Sequence, residues 1–411
     1  MASPSRARAP RPAADPALDA AALLRRVGFL MLLVAVPVVA LVARRAVVIL
    51  APIALVLLVL AAALDGRHRP LRPVLMRVAS ARMVLSGALA FGWCALSIAW
   101  TPFPGPAAER LANVLAAVAL TLAGYLALPD RMRSANLYLI PIGVAAAALA
   151  AVLVGLFGGA ALRTGFEEDG ALERGLTLLA LLVWPATAWL RSRGRDLESL
   201  GLAVLVALAL VLAPRATPLV AMAVGALAFA ATAWRPRVGI AATAGVTAGI
   251  LALGPLLPFL IHPVVRAVVG PLHPLAQSLA VWRRVVAGEP LRLITGHGFE
   301  TALRGRLVGL IPGNAPTSLP FELWYELGIV GALGTAAALA LAVRAAGRDH
   351  PALVPGAMAA FATAFAIACL GTAMTVMWWF TSLAMLVLVF VTVERGQFRT
   401  QRPRAGRPTI P

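Results

Sequence analysis

"AVVILAPIALVLLVLAAAL", residues 46–64, carries no charged and no hydrogen-bonding side chain from one end to the other. An α-helix rises 1.5 Å per residue, so about 20 such residues cross the roughly 30 Å hydrocarbon layer of a bilayer. Comparable runs lie at 27–43, 83–100, 110–128, 137–161, 174–190, 199–213, 217–234, 238–261, 319–343, 351–371 and 374–393, which with 46–64 makes twelve. The whole chain has the same character: 61% of its 411 residues are hydrophobic and 13% are charged, where soluble domains use roughly a quarter charged residues. The expected fold class is an all-α polytopic membrane protein of about twelve transmembrane helices, with one large periplasmic loop between the ninth and tenth.

The formal net charge is +19, and every cation is Arg, since the chain has no Lys. With a cytoplasmic N-terminus, the two tails and the alternate connections at 65–82, 129–136, 191–198, 235–237 and 344–350 hold 24 Arg. The short connections on the opposite side hold six: Arg44, Arg45, Arg110, Arg163, Arg174 and Arg215. This is the positive-inside bias, and it places both termini in the cytoplasm. The excess charge is a topology signal, no nucleic-acid motif accompanies it, and no nucleic-acid partner is expected.

Five segments follow. Residues 1–26 and 394–411 are Arg- and Pro-rich, without an apolar core, and are expected to be disordered cytoplasmic tails. Spans one to nine occupy 27–261, a loop with short helices 262–318, and the last three spans 319–393. The first apolar run is read as a retained span, not a cleaved signal, because no small-residue cleavage site follows it. Cys94 and Cys369 fall inside apolar runs and are most simply small core residues.

The 262–318 loop is long for a compact membrane domain, and long structured loops are more often functional than spacers. It holds six Arg, among them Arg283 and Arg284, with His262, His273 and His297 and the acids Glu289 and Glu300. Guanidiniums at a membrane surface suit a phosphate-bearing, lipid-linked substrate, because the planar fork grips phosphate oxygens in pairs. They would equally suit lipid headgroups or the two loop acids. "SLAVWRRVVAGEPLRLITGHGFETALRG" reads as a short amphipathic helix, with Trp282 at headgroup level and Arg283 and Arg284 pointing away, followed by a turn in which Gly296 and Gly298 flank His297. Beyond it, "NAPTSLPFELWYELGIVGAL" (residues 314–333) puts Glu322 and Glu326 on one face at the start of a helix, where carboxylates are favoured by the helix dipole. Glu322, nearer the loop, could instead orient an Arg or accept a proton.

"ITGHGFETA" followed by "PTSLPFELWYELGIVGAL" resembles the signature of the O-antigen ligase and O-antigen polymerase superfamily, a G-x-G turn and then P-H-N-x-x-L-Q-x-W-x-E-L-G-x-x-G. Trp324, Glu326, Leu327, Gly328 and Gly331 match it one for one, and "ERGLTLLALLVWPATAWL" resembles the family's N-R-G run with Arg174 in the Arg position. The specific likeness spans about 174–333; further upstream only hydropathy and the phrase "LSIAWTPFP" agree. Thr317 stands where the family has its His, and Ser318 where it has Asn. An Arg that the family places four residues before the loop Trp is replaced by Ser278.

The resemblance implies transfer of a glycan from an undecaprenyl-pyrophosphate carrier to lipid A-core (ligase) or to another lipid-linked glycan (polymerase) on the periplasmic face. Such a donor is already activated, so no metal and no cofactor are expected; positioning and charge stabilisation remain for the protein to supply. Candidate pyrophosphate ligands are Arg174, Arg215, Arg283 and Arg284, with Arg215 equally read as a loop charge. Thr317 cannot act as a base near neutral pH, which leaves Glu322 or His297 for that role, or none. Trp324, Glu326 and Gly328 are the structural part of the motif. Two other classes remain, a secondary transporter and a catalytically inactive scaffold. Against the first, the large loop does not divide the spans six and six, and no acid lies at the middle of a span.

Overall fold

The computed structural model describes residues 16–66, 82–157, 170–348, 350–371 and 376–397, and among these every element is helical, with no strand. In chain order they are α1 (Pro16–Val39), α2 (Ala46–Leu64), α3 (Arg82–Ser97), α4 (Pro104–Ala127), α5 (Ser134–Phe157), α6 (Ala171–Ser192), α7 (Asp196–Val211) and α8 (Thr217–Trp234). Next come α9 (Pro236–Ala252) and α10 (Leu257–Val269), then the short loop helices α11 (Pro274–Gly288), α12 (Arg292–Thr295) and α13 (Thr301–Val308). The chain closes with α14 (Leu319–Ala346), α15 (Val354–Leu370) and α16 (Met377–Glu394).

The protein is a multi-pass membrane protein. Eight of the described helices, α1, α2, α4, α5, α6, α8, α14 and α16, are long and apolar enough to cross a bilayer, and α9 with the turn and helix after it forms a further pair bent by 67°. α3 and α15 are apolar but shorter. Within the described residues the twelve sequence runs thus all fall on helices, while length and hydropathy mark eight as candidate spans.

Burial follows membrane logic. On α2 the large residues Ile49, Ile53, Val56, Leu60 and Leu64 are exposed, at a spacing of three to four, while Ala51, Ala54, Leu55, Leu58 and Ala61 are buried. Small residues inside let helices approach closely, and branched chains outside meet lipid. α6 is buried on every face from Gly175 to Leu190, so it is the axis of the bundle. There the Trp184 indole donates to the Thr363 hydroxyl on α15 at 2.8 Å, which satisfies both groups where no water reaches.

Polar contacts among the connections fall into two sets. At one end Arg25 pairs with Asp65, Arg193 donates to the Gly396 carbonyl, and Arg395 donates to the carbonyls of Tyr125 and Leu128. At the other, Arg174 donates to the Arg44 carbonyl, Arg215 pairs with Glu173, Thr101 donates to the Phe299 carbonyl, and Thr317 donates to the Gly371 carbonyl.

Three boundaries differ from the sequence reading. Residues 16–26, expected in the tail, are helical from Pro16 onward because Leu18, Ala21 and Leu24 extend the helical apolar spacing; residues 1–15 lie outside the described part. The loop expected from residue 262 begins later, since α10 runs through to Val269. At the C-terminus, residues 395–397 stay bonded to the bundle, and 398–411 lie outside the described part.

If the exposed stripe of α2 faces lipid, Val56→Asp costs about 2.5–3.5 kcal/mol of insertion free energy, read as a lower membrane-inserted fraction. An unchanged fraction would mean that this stripe faces water.

Candidate functional site

The site is built on a break in α14. Gly328 sits at φ 62°, ψ −159°, a conformation that only glycine tolerates well, so the helical ladder is interrupted there. A break at this position deprives the carbonyls of Tyr325, Glu326 and Leu327 of their partners one turn on. All three are taken up by other segments. The His297 N–H donates to the Tyr325 carbonyl at 2.8 Å, the Gly298 N–H to that of Glu326 at 2.9 Å, and the Trp93 indole of α3 to that of Leu327 at 2.8 Å. The fit is backbone against backbone: a Cβ on Gly296 would come within 2.1 Å of the Glu326 oxygen, and one on Gly328 within 2.5 Å of the Ile294 oxygen.

A second break is tied to the same segment. The 67° bend after α9 frees the Leu251 carbonyl, and the Trp324 indole donates to it at 2.6 Å. On the loop side a series of rings closes the junction: Trp282 packs edge-on against Phe321 at 5.7 Å, Phe321 stacks on Tyr325 at 5.4 Å, and Tyr325 stacks on His297 at 4.1 Å. Trp282, expected at headgroup level, is instead buried in this small core, because Phe321 offers it an apolar partner. The phrase "LSIAWTPFP" docks here as well. The Ser97 hydroxyl accepts from the Phe299 N–H, and the Thr101 hydroxyl meets the Phe299 carbonyl and the Thr301 hydroxyl.

Three buried carboxylates gather at this junction. Glu326, 4% exposed, accepts from the Ala302 N–H at 2.9 Å and so caps the N-terminus of α13 instead of serving its own helix. Glu322, 3% exposed, forms a 2.8 Å ion pair with Arg306, whose guanidinium also donates to the Pro316 carbonyl. Glu300, 1% exposed, has the one positive φ among the described non-glycine residues, 66°, and lies 3.5 Å from Arg110 and 3.7 Å from Arg304. Burial pushes the Glu300 carboxyl above its ordinary value, against the opposing pull of Arg110 and Arg304.

The remaining candidates are placed as follows. The two ring nitrogens of His297 lie 3.0 Å from the Tyr325 carbonyl and 3.0 Å from the exposed Glu289 carboxylate. Arg215 pairs with Glu173 at 3.3 Å, while Arg174, the next residue, donates to the Arg44 carbonyl and sets its guanidinium 5.3 Å over the Trp378 ring. Thr317 is half-buried and reaches the Gly371 carbonyl, so it and Arg174 touch opposite ends of the connection between α15 and α16. Arg283 and Arg284 lie on the exposed side of α11, where the Arg284 Nε donates back to the Ala280 carbonyl. The structure brings neither of them to another candidate.

Arg306, Arg110 and Glu300 were missed as site residues. Arg306 stood in the loop's row of cations and Arg110 in a short connection, with nothing in their spacing to mark them. The Arg306–Glu322 pair joins residues from separate helices, and the backbone of Glu300 leaves no trace in composition. The chain matches no protein-family model and no curated protein.

Gly328→Ala should lower stability by about 1–3 kcal/mol or more, whereas Gly313→Ala, in open space, should leave it unchanged; thermal melting in detergent reads both. For Glu300, a folded-state pKa above the unfolded one gives a stabilising contribution at acid pH that is lost as pH rises through the folded value. The melting temperature of the wild type should therefore fall, from the ordinary carboxylate range upward, more than that of Glu300→Gln; parallel profiles would contradict this.

Proposed function

We propose that the protein is an inner-membrane glycan transferase of the O-antigen ligase or polymerase type. It would act on an undecaprenyl-pyrophosphate-linked donor at the periplasmic end of twelve spans, with both termini cytoplasmic. The observation that carries the reading is the docking of the G-x-G turn into the W-x-E-x-G break, beside a buried set of Arg and Glu side chains. Two motifs that resembled one family signature at a distance in sequence form one contact. The separation of polar contacts into two end sets supports an alternation of ends along the chain, because each set draws on alternate connections only.

In this reading Arg174 and Arg215 hold the donor's pyrophosphate, with Thr317 across the α15–α16 connection. Glu322 positions Arg306 and is not a free base. Catalysis then rests on stabilising a leaving group that needs little help from proton abstraction. A transporter, the second reading, would draw on the same broken helices, whose freed carbonyls commonly coordinate ions. Here the three carbonyls at Gly328 and that of Leu251 are occupied by protein donors, which favours the transferase.

Topology is tested by impermeant thiol labelling of Leu307→Cys and Arg348→Cys in spheroplasts; labelling of the first alone is expected, and of the second alone would invert the assignment. Activity is tested in proteoliposomes with an undecaprenyl-pyrophosphate glycan and either a lipid A-core or a second lipid-linked acceptor. Transfer is expected, and Arg306→Lys, which keeps the charge but loses the fork, should reduce it tenfold or more. No transfer to either acceptor would refute the proposal.

A further inference from the structure

We infer that Arg110 and Arg304, held by Glu300, form a second anion site that takes the phosphate or diphosphate group of a lipid. Three observations converge. The two guanidiniums come from different elements, the first turns of α4 and the loop helix α13, yet face one carboxylate. Arg110 Nε stands 3.5 Å from one Glu300 oxygen and Arg304 Nε 3.7 Å from the other, and the Arg304 Nε has no hydrogen-bond partner among the described residues. Each nearby carboxylate other than Glu300 has its own partner, Arg306 for Glu322 and the Ala302 N–H for Glu326.

Two cations therefore share one anion, with N–H donors to spare in a fork geometry matched to phosphate oxygens. Arg304 is 43% exposed and Arg110 16%, so an anion arriving from the loop side meets Arg304 first. Glu300 is a positioning residue: its 1% exposure and left-handed backbone fix where both guanidiniums stand. In sequence and contacts this site is separate from Arg174 and Arg215. Its role rests on the transferase reading, in which a reaction between two lipid-borne glycans presents two phosphate groups, one on the donor and one on the acceptor. Its existence as an anion site does not rest on that reading.

The test is calorimetric titration of the full-length protein in detergent with inorganic pyrophosphate and, separately, with farnesyl diphosphate. The exposed member is the one to vary, since Arg110→Gln could fail to fold. Arg304→Gln should bind one anion fewer per chain than the wild type, and Arg304→Lys should bind that anion at least tenfold more weakly. Arg235→Gln, at the other end of the bundle, should match the wild type. A loss seen only with farnesyl diphosphate marks the anion as lipid-borne, as proposed; a loss seen only with pyrophosphate assigns a free anion and overturns the lipid assignment. Equal stoichiometry and affinity in wild type and both Arg304 variants, or no binding of either probe by the wild type, overturns the site. If Arg304→Gln loses an anion while the wild type transfers no glycan, the site stands and the transferase reading falls; transfer with anion binding indifferent to Arg304 gives the reverse.

Discussion

A backbone carbonyl inside a membrane protein must find a donor, because the surrounding hydrocarbon offers none and each orphan costs several kcal/mol. The break at Gly328 creates three such carbonyls at once, and their satisfaction ties together α3, the Gly296–Gly298 turn and α14. Much else hangs on this knot. The turn carries Glu300 and α13, α13 carries Arg304 and Arg306, and Glu326 of the broken span caps α13 in return. A loop that is long in sequence is thus fastened to the bundle at the turn and again at α13.

The fastening explains the residue types. Gly328 and Gly296 are required by backbone conformation and by contact between two main chains, so no side chain could stand at either place. Trp324 is required because an indole combines apolar bulk with one donor, and the bend after α9 exposes one acceptor. The motif's Trp, Glu and Gly hold a scaffold, and the Arg side chains of α13 are set upon it.

Hydropathy made the helical class legible, since period and run length are local properties, and the helices lie where the apolar runs lie. Length settles fewer crossings than the runs imply, because α3, α7 and α15 are short for the hydrocarbon layer and α9 is bent against the helix that follows it. The glycines and Trp324 were visible as a pattern, but which carbonyls they serve was not, as those bonds join residues far apart in the chain. Trp282 shows the limit of local reading. Its amphipathic neighbours suit an interface, and only the presence of Phe321 across the junction buries it. The pairing of Glu322 with Arg306 was out of reach for the same reason, while the option that Glu322 orients an Arg was open from its place near the loop.

The claim that the loop is clamped by the broken span is tested most directly by hydrogen exchange at the amides of His297 and Gly298. Both should exchange as slowly as amides inside the spanning helices, because each donates to a carbonyl freed at Gly328. Exchange as fast as that of the exposed amides of Gly313 and Asn314 would contradict the account, since the carbonyls of Tyr325 and Glu326 would then lack the partners on which the site is built.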